Sequence, residues 1–355
     1  MLILLLSIIL LTNAAYQVDV LVPLTTATYG ATPNFEGLAV DTKSKNLIST
    51  RFYNGSLLEI NSQNVTEVQI FNTAVIQGFM TGIKVGHLGQ RYICLHSANP
   101  LHNGVWKFEP GVTGCSSIDG VGCTKLFPRN GENILWPDGI GIRRHGDNYT
   151  VFVSDPPSGN IWVFDDKGAQ SVGTLFSGTD AGTNPNYLQG IGFLGPPGSE
   201  YNPIGRGFGC NGVSFDDKND VVYTAMAETG LVVSIKASKN NAGNWVAGPQ
   251  TVIGAFTWQY TLDGVFYDNG VVYATVFFAF SGFNVVPGQK IIALDTRAPT
   301  PTWNVIIDNP YIGTPTDVVT GCGYEHPNDN CNKLFITDIG YGSQYGPNIL
   351  VATPI

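Results

Sequence analysis

One phrase recurs six times along this chain, and no other feature restricts its fold so tightly. Each copy opens with a polar residue, followed by glycine in five of the six, and runs on through alternating apolar residues. The chain then turns and returns as a second and a third short strand. The copies begin FEGLAVD at Phe35, MTGIKVG at Met80, PDGIGIR at Pro137, CNGVSFD at Cys210, LDGVFYD at Leu262 and PTDVVTG at Pro315. Runs of Val, Ile, Tyr and Phe alternate with Gly, Asn, Asp and Pro clusters, the pattern of many short strands. Helical periodicity is almost absent.

A twisted antiparallel sheet of this size cannot bury both faces alone. Stacking six around an axis buries them against one another and leaves only short, protected edges. The period, roughly 57 residues, is a little above the ~40–50 of common propeller blades. The expected architecture is therefore all-β, a six-bladed β-propeller, with residues 16–355 as one domain. A β-sandwich would not need the same phrase six times. The run YQVDVLVPL from Tyr16 to Leu24 alternates like a strand and precedes the first copy. It is expected to pair into the last blade and close the ring, protecting an exposed edge.

Composition narrows the function. Apolar residues make up 43% of 355, enough for a sizeable core, and 43 glycines with 21 prolines suit a turn-rich β protein. The formal charge of −9 argues against a nucleic-acid binder, which needs a basic face. Cations and neutral ligands remain open.

Leu2 to Leu11 is apolar except for Ser7, and Thr12-Asn13-Ala14-Ala15 follows. That stretch is too short for the ~20 residues of a membrane helix. It matches a secretory signal peptide over 1–15, with cleavage near Ala14 or Ala15, although no basic residue opens it. No later stretch is a membrane span. Asn54-Gly55-Ser56, Asn64-Val65-Thr66 and Asn148-Tyr149-Thr150 are glycosylation sequons, in keeping with a secreted, extracellular glycoprotein. Six cysteines include two close pairs, Cys115/Cys123 and Cys322/Cys331, which read as disulfide staples of loops. Cys94 and Cys210 either pair or stay as buried thiols.

The residue before the glycine of each phrase carries the chemistry. In order it is Glu36, Thr81, Asp138, Asn211, Asp263 and Thr316, with Asp317 replacing glycine in the sixth copy. If each phrase starts an innermost strand, all six meet at one end of the central channel. Carboxylates crowded there repel one another unless a cation or shared protons compensate. Oxygen-only donors suit a hard divalent cation, above all Ca²⁺. The competing explanation is that Asp-Gly and Asn-Gly merely form turns. Glu36-Gly37 does not fit it.

Other signals lead elsewhere. Gly207 to Gly212 satisfies G-x-G-x-x-G but runs into a strand, so no dinucleotide site is expected. Asp216 to Asp220 reads as a hairpin turn, and His87, His96, His102, His145 and His326 lie outside the ring. The loop from Gly195 to Cys210 and the aromatic run Phe256 to Tyr260 precede two phrases and are expected near the same mouth. Those aromatics either meet ligand there or pack between blades.

The phrases resemble the regucalcin/gluconolactonase superfamily of six-bladed propellers, on Glu36 with Asp41, Asn211 with Asp216, and Asp263 with Asp268. They also resemble secreted fungal propellers that include a skin-yeast allergen and a trichothecene-cluster protein. The first resemblance implies an axial cation held by a Glu from the first blade and Asn and Asp residues from later ones. PDGIGI around Asp138 looks like a substrate or metal position of the third blade, where the superfamily more often has Asn. The metal set is then Glu36, Asn211, Asp263 and Asp138, with Asp263 or Asp138 catalytic. The function implied is a metal-dependent lactonase or esterase with a small-molecule substrate. The alternative is a non-catalytic secreted propeller that binds a small molecule, lipid or protein partner. A third reading makes the metal purely structural. A monomer is the expected state.

Overall fold

A computed structural model describes residues 16–23, 35–61, 63–72, 78–117, 119–129, 132–166, 174–177, 188, 207–256, 259–281, 284–298, 301–325, 330–340 and 347–355. The expected signal peptide therefore lies outside the described residues, as do residues 195–206, Thr257, Trp258 and His326.

The described residues form six antiparallel sheets and no helix, arranged as a six-bladed β-propeller. Each phrase does supply the innermost strand of a blade: Phe35–Asp41, Phe79–Val85, Ile140–His145, Cys210–Asp216, Tyr260–Asp268 and Pro315–Thr320. Blades have four strands where the phrase shows three, because the outermost strand has no shared wording. The second blade carries a fifth, Asp119–Gly120. In the third copy the strand begins only at Ile140, just after Asp138-Gly139.

Tyr16–Pro23 pairs antiparallel with Asn348–Pro354, so the two ends of the described chain meet in blade six, as the alternation of the first run predicts. Burial follows the stacking argument. Six apolar clusters fill the six interfaces between successive blades, for example Ile48, Leu57, Ile83 and Trp106 between blades one and two. An ion pair from Arg91 to Glu59 also bridges blades two and one.

Both expected disulfides are present, Cys115–Cys123 and Cys322–Cys331, while Cys94 and Cys210 are buried free thiols. Asn64 and Asn148 are exposed and Asn54 is half-buried. No helix among the described residues is long and apolar enough to cross a membrane.

Candidate active site at the axial mouth

The inner strands share one direction along the axis, so equivalent steps of the phrase lie at equal height. Glu36, Asp138, Asn211, Asp263 and Thr316 line one axial cavity of about 30 Å³. Thr81 lines the wider pocket that opens above it, about 190 Å³, whose floor is again Glu36, Asp138, Asn211 and Asp263. All six ring positions are thus brought to one mouth.

The glycines have a different purpose from turning the chain. None of the five in the ring adopts left-handed backbone. They allow neighbouring inner strands to approach. A Cβ on Gly139 would lie 2.3 Å from Asn211 O, and one on Gly212 would lie 2.4 Å from Val265 N. Hydroxyls of the second strands pin the same backbone. Gly37 N donates to Thr50 Oγ1 at 2.8 Å, Gly139 N to Ser154 Oγ at 2.8 Å and Gly264 N to Thr275 Oγ1 at 2.8 Å. Thr50 then donates to Thr81 O of the next blade at 2.8 Å. At the seam between blades six and one, Asp317 substitutes a carboxylate for close contact. Its Oδ2 accepts Leu38 N at 3.0 Å, and Thr337 Oγ1 donates to Glu36 O at 2.9 Å.

Asp138 and Asp263 are buried to 6% and 7% exposure, while Glu36 is partly open to the pocket. Burial pushes the Glu36 carboxyl well above the usual carboxylate range, and Asp138 and Asp317 add repulsion. Asp138 rises to about 7, chiefly through burial, with Asp317 and Asp155 contributing and the Thr81 hydroxyl opposing. Burial and then Glu36, Asp138 and Asp317 raise Asp263 strongly, against a hydrogen bond from Asn211. Asp317 is raised by burial and relieved by Lys84 and by the Leu38 and Val318 amides. Burial is the common cause, and like charge adds to it at Glu36, Asp138 and Asp263.

Three carboxyls and an amide are donors for a hard ion, and the axial cavity has room for one ion or water. The donor chemistry therefore fits a cation. Among the described residues no three His, Cys, Asp or Glu side chains stand close enough to make a ready cage.

Aromatic side chains wall the mouth. Phe52 and Tyr53 follow the second strand of blade one, and Trp136 immediately precedes the third phrase. Trp136 stacks on His96 with centroids 3.9 Å apart and meets Phe208 edge-on at 5.8 Å. None of the described histidines lines the axial cavity. His96 stands behind Trp136, its Nδ1 3.2 Å from Leu135 O, and burial lowers its pKa.

Several expectations are corrected or sharpened here. Phe208, from the loop before blade four, does line the mouth. Phe256 and Tyr260 do not. They pack into the interface of blades four and five, Phe256 against Trp303 at 5.6 Å. Asp41 and Asp216 cap hairpin turns, accepting Lys43 N and Lys218 N at 2.9 Å each. Asp268 accepts the Thr320 hydroxyl at 2.9 Å in a pocket at the opposite mouth. Asp41 and Asp216 are thus turn chemistry and Asp268 an interblade contact, all remote from the ring. Asp317 and the aromatics Phe52, Tyr53 and Trp136 are what sequence reading passed over as site residues. In an antiparallel blade the residues after strand two return to the end where strand one began, and that rule would have found Phe52 and Tyr53.

No protein-family model matches the sequence, and a comparison with curated proteins finds no match. Solved structures do match the fold. A gluconolactonase from Xanthomonas campestris superposes with a TM-score of 0.58 at 14% identity, over 96% of this chain and 90% of that one. The calcium-binding protein regucalcin from Agrobacterium tumefaciens gives 0.57 at 10% identity, over 96% of each chain. A luciferin-regenerating enzyme gives 0.59 at 13% identity, again over 96% of each. The class is defined by fold: this chain is a six-bladed propeller with the architecture of regucalcin and the gluconolactonases. At such identities the likeness speaks to architecture alone.

Proposed function

We propose that the axial mouth is the active site of a secreted, cation-assisted hydrolase of lactones or related esters. One observation carries the reading: acidic and amide side chains from separate blades meet, buried and, among the described residues, with only the Lys84 ammonium as counter-charge beside the cavity, on the floor of an open pocket. Structural charge is seldom gathered so expensively without a ligand or a reaction to use it.

A bound divalent cation, Ca²⁺ first among candidates, would polarise the substrate carbonyl and stabilise the developing oxyanion. Glu36, Asn211 and Asp263 are suited to hold it, Asp263 being tied to Asn211 by a hydrogen bond. Asp138, fixed beside the Thr81 hydroxyl, is left to orient a water and accept its proton. The glycines and second-strand hydroxyls keep these groups in register, so little reorganisation accompanies the reaction. Two disulfides and exposed Asn64 and Asn148 support the secretory reading, with 1–15 as signal peptide and 16–355 as one domain.

Hydrolysis of a lactone and aryl-ester panel, with and without chelator, tests this. Turnover should vanish with chelation and return with calcium. Asp138→Asn should lower kcat by about 10²-fold or more while the protein still takes up the ion. A calcium-loaded protein inert across the panel would count against catalysis and favour a non-catalytic binding protein.

A further inference from the structure

We propose that the mouth pocket selects an apolar, ring-bearing acyl compound rather than a polyhydroxylated sugar lactone. This rests on the hydrolytic reading for its chemistry, but the selectivity comes from the walls.

Above the polar floor, the walls of the pocket are formed by Phe52, Trp136, Phe208, Leu262, Phe277 and Ile339. Phe52 and Ile339 follow the second strands of blades one and six, and Phe277 lies at an irregularity within that of blade five, so among the described residues apolar surface reaches the opening from three different blades. Trp136, Phe208 and Ala227 form an apolar cluster of their own, with Phe52 packed against it. Stacking extends this surface outward: Phe52 lies parallel to Phe79 with centroids 4.9 Å apart, and Tyr53 meets both rings edge-on.

A sugar lactone needs a hydrogen-bond partner for each hydroxyl it buries, because an unpaired buried hydroxyl costs free energy. Among the described wall residues the only other hydroxyls are those of Thr81, Thr261 and Tyr53. Thr81 Oγ1 donates to Pro137 O at 2.8 Å, and Thr261 Oγ1 accepts Phe278 N at 2.9 Å. The backbone thus takes the proton of Thr81 and one acceptor site of Thr261. Tyr53 sits at the rim, 46% exposed. Besides the Trp136 indole N–H, the polar side chains left in the described lining are those of the floor, which the carbonyl end of the substrate would face.

Size points the same way. An apolar cavity of ~150 Å³ takes a benzene ring. The 190 Å³ here therefore suits one ring with a short substituent or a fused lactone. Placed carbonyl-down, such a molecule sets its apolar body against Trp136 and Phe208 and its reacting carbon over Asp138.

Calorimetric binding to the calcium-loaded full chain tests this without turnover. The probes are δ-phenyl-δ-valerolactone, its cyclic ether analogue 2-phenyltetrahydropyran, which cannot be hydrolysed, and glucono-1,5-lactone. The phenyl compounds should bind at least tenfold more tightly than the sugar lactone. Phe208→Ala should weaken them about tenfold, with Phe208→Leu restoring most of the loss. Tighter binding or faster hydrolysis of the sugar lactone would overturn the selectivity and leave the hydrolytic reading standing. Phenyl compounds that bind in the expected order but are never hydrolysed would uphold the selectivity and sink the hydrolytic reading. Failure of both phenyl probes to bind would overturn the inference.

Discussion

Asp317 stands where the other five copies have glycine, and it shows how one side chain can serve both seam and site. Its carboxylate replaces close strand contact with an accepted hydrogen bond from Leu38 N, and its charge raises the proton affinity of Glu36, Asp138 and Asp263. A carboxyl whose folded pKa exceeds its unfolded value holds its proton more tightly in the folded state. Its stabilising contribution is present at acid pH and is lost as pH rises through the folded value. For Asp138 that value is about 7, above the value near 6 of Asp155 behind it. Metal-free protein should therefore melt at a lower temperature at pH 8 than at pH 6, and Asp138→Asn should flatten the slope. Thermal scans across that window check it. A midpoint that rises toward pH 8 in metal-free protein would contradict the electrostatic picture.

The inner strand is the element that sets both architecture and site. Its glycine was legible as a repeat, yet sequence alone reads Asp138-Gly139 equally well as a turn. Only the packing distance, with Asn211 O 2.3 Å from a would-be Cβ, separates the two meanings. Gly139→Ala must therefore push apart the inner strands of blades three and four, costing about 1–3 kcal/mol. Chemical denaturation measures it, and a neutral substitution would show that the turn explanation is enough. Blade count, the closing strand Tyr16–Pro23, both disulfides and the ring positions were all readable, because each follows from periodicity or local spacing. What was unreadable depends on neighbours far apart in sequence. Phe256 and Trp258 looked alike as mouth aromatics, but the partner that claims Phe256 is Trp303 in the next blade. Trp136 gave no signal until Phe208 and His96 stood beside it.

At the scale of the molecule, the candidate site has no existence within one blade. Glu36, Asp138, Asn211 and Asp263 come from blades one, three, four and five, and they meet only because six apolar interfaces close the ring. A cation on the axis would therefore bind once per chain, only to folded protein, and would stabilise the closed ring by mass action. It would also relieve the repulsion among the buried carboxyls of Glu36, Asp138 and Asp263. Calorimetric titration of metal-free protein with Ca²⁺ at pH 7.5 settles the matter. The expected result is one site per molecule, with proton release and a raised melting temperature, weakened about tenfold or more by Glu36→Gln and Asp263→Asn. Binding below a tenth of an equivalent for calcium and every other divalent ion, or full binding unaffected by both substitutions, would contradict it.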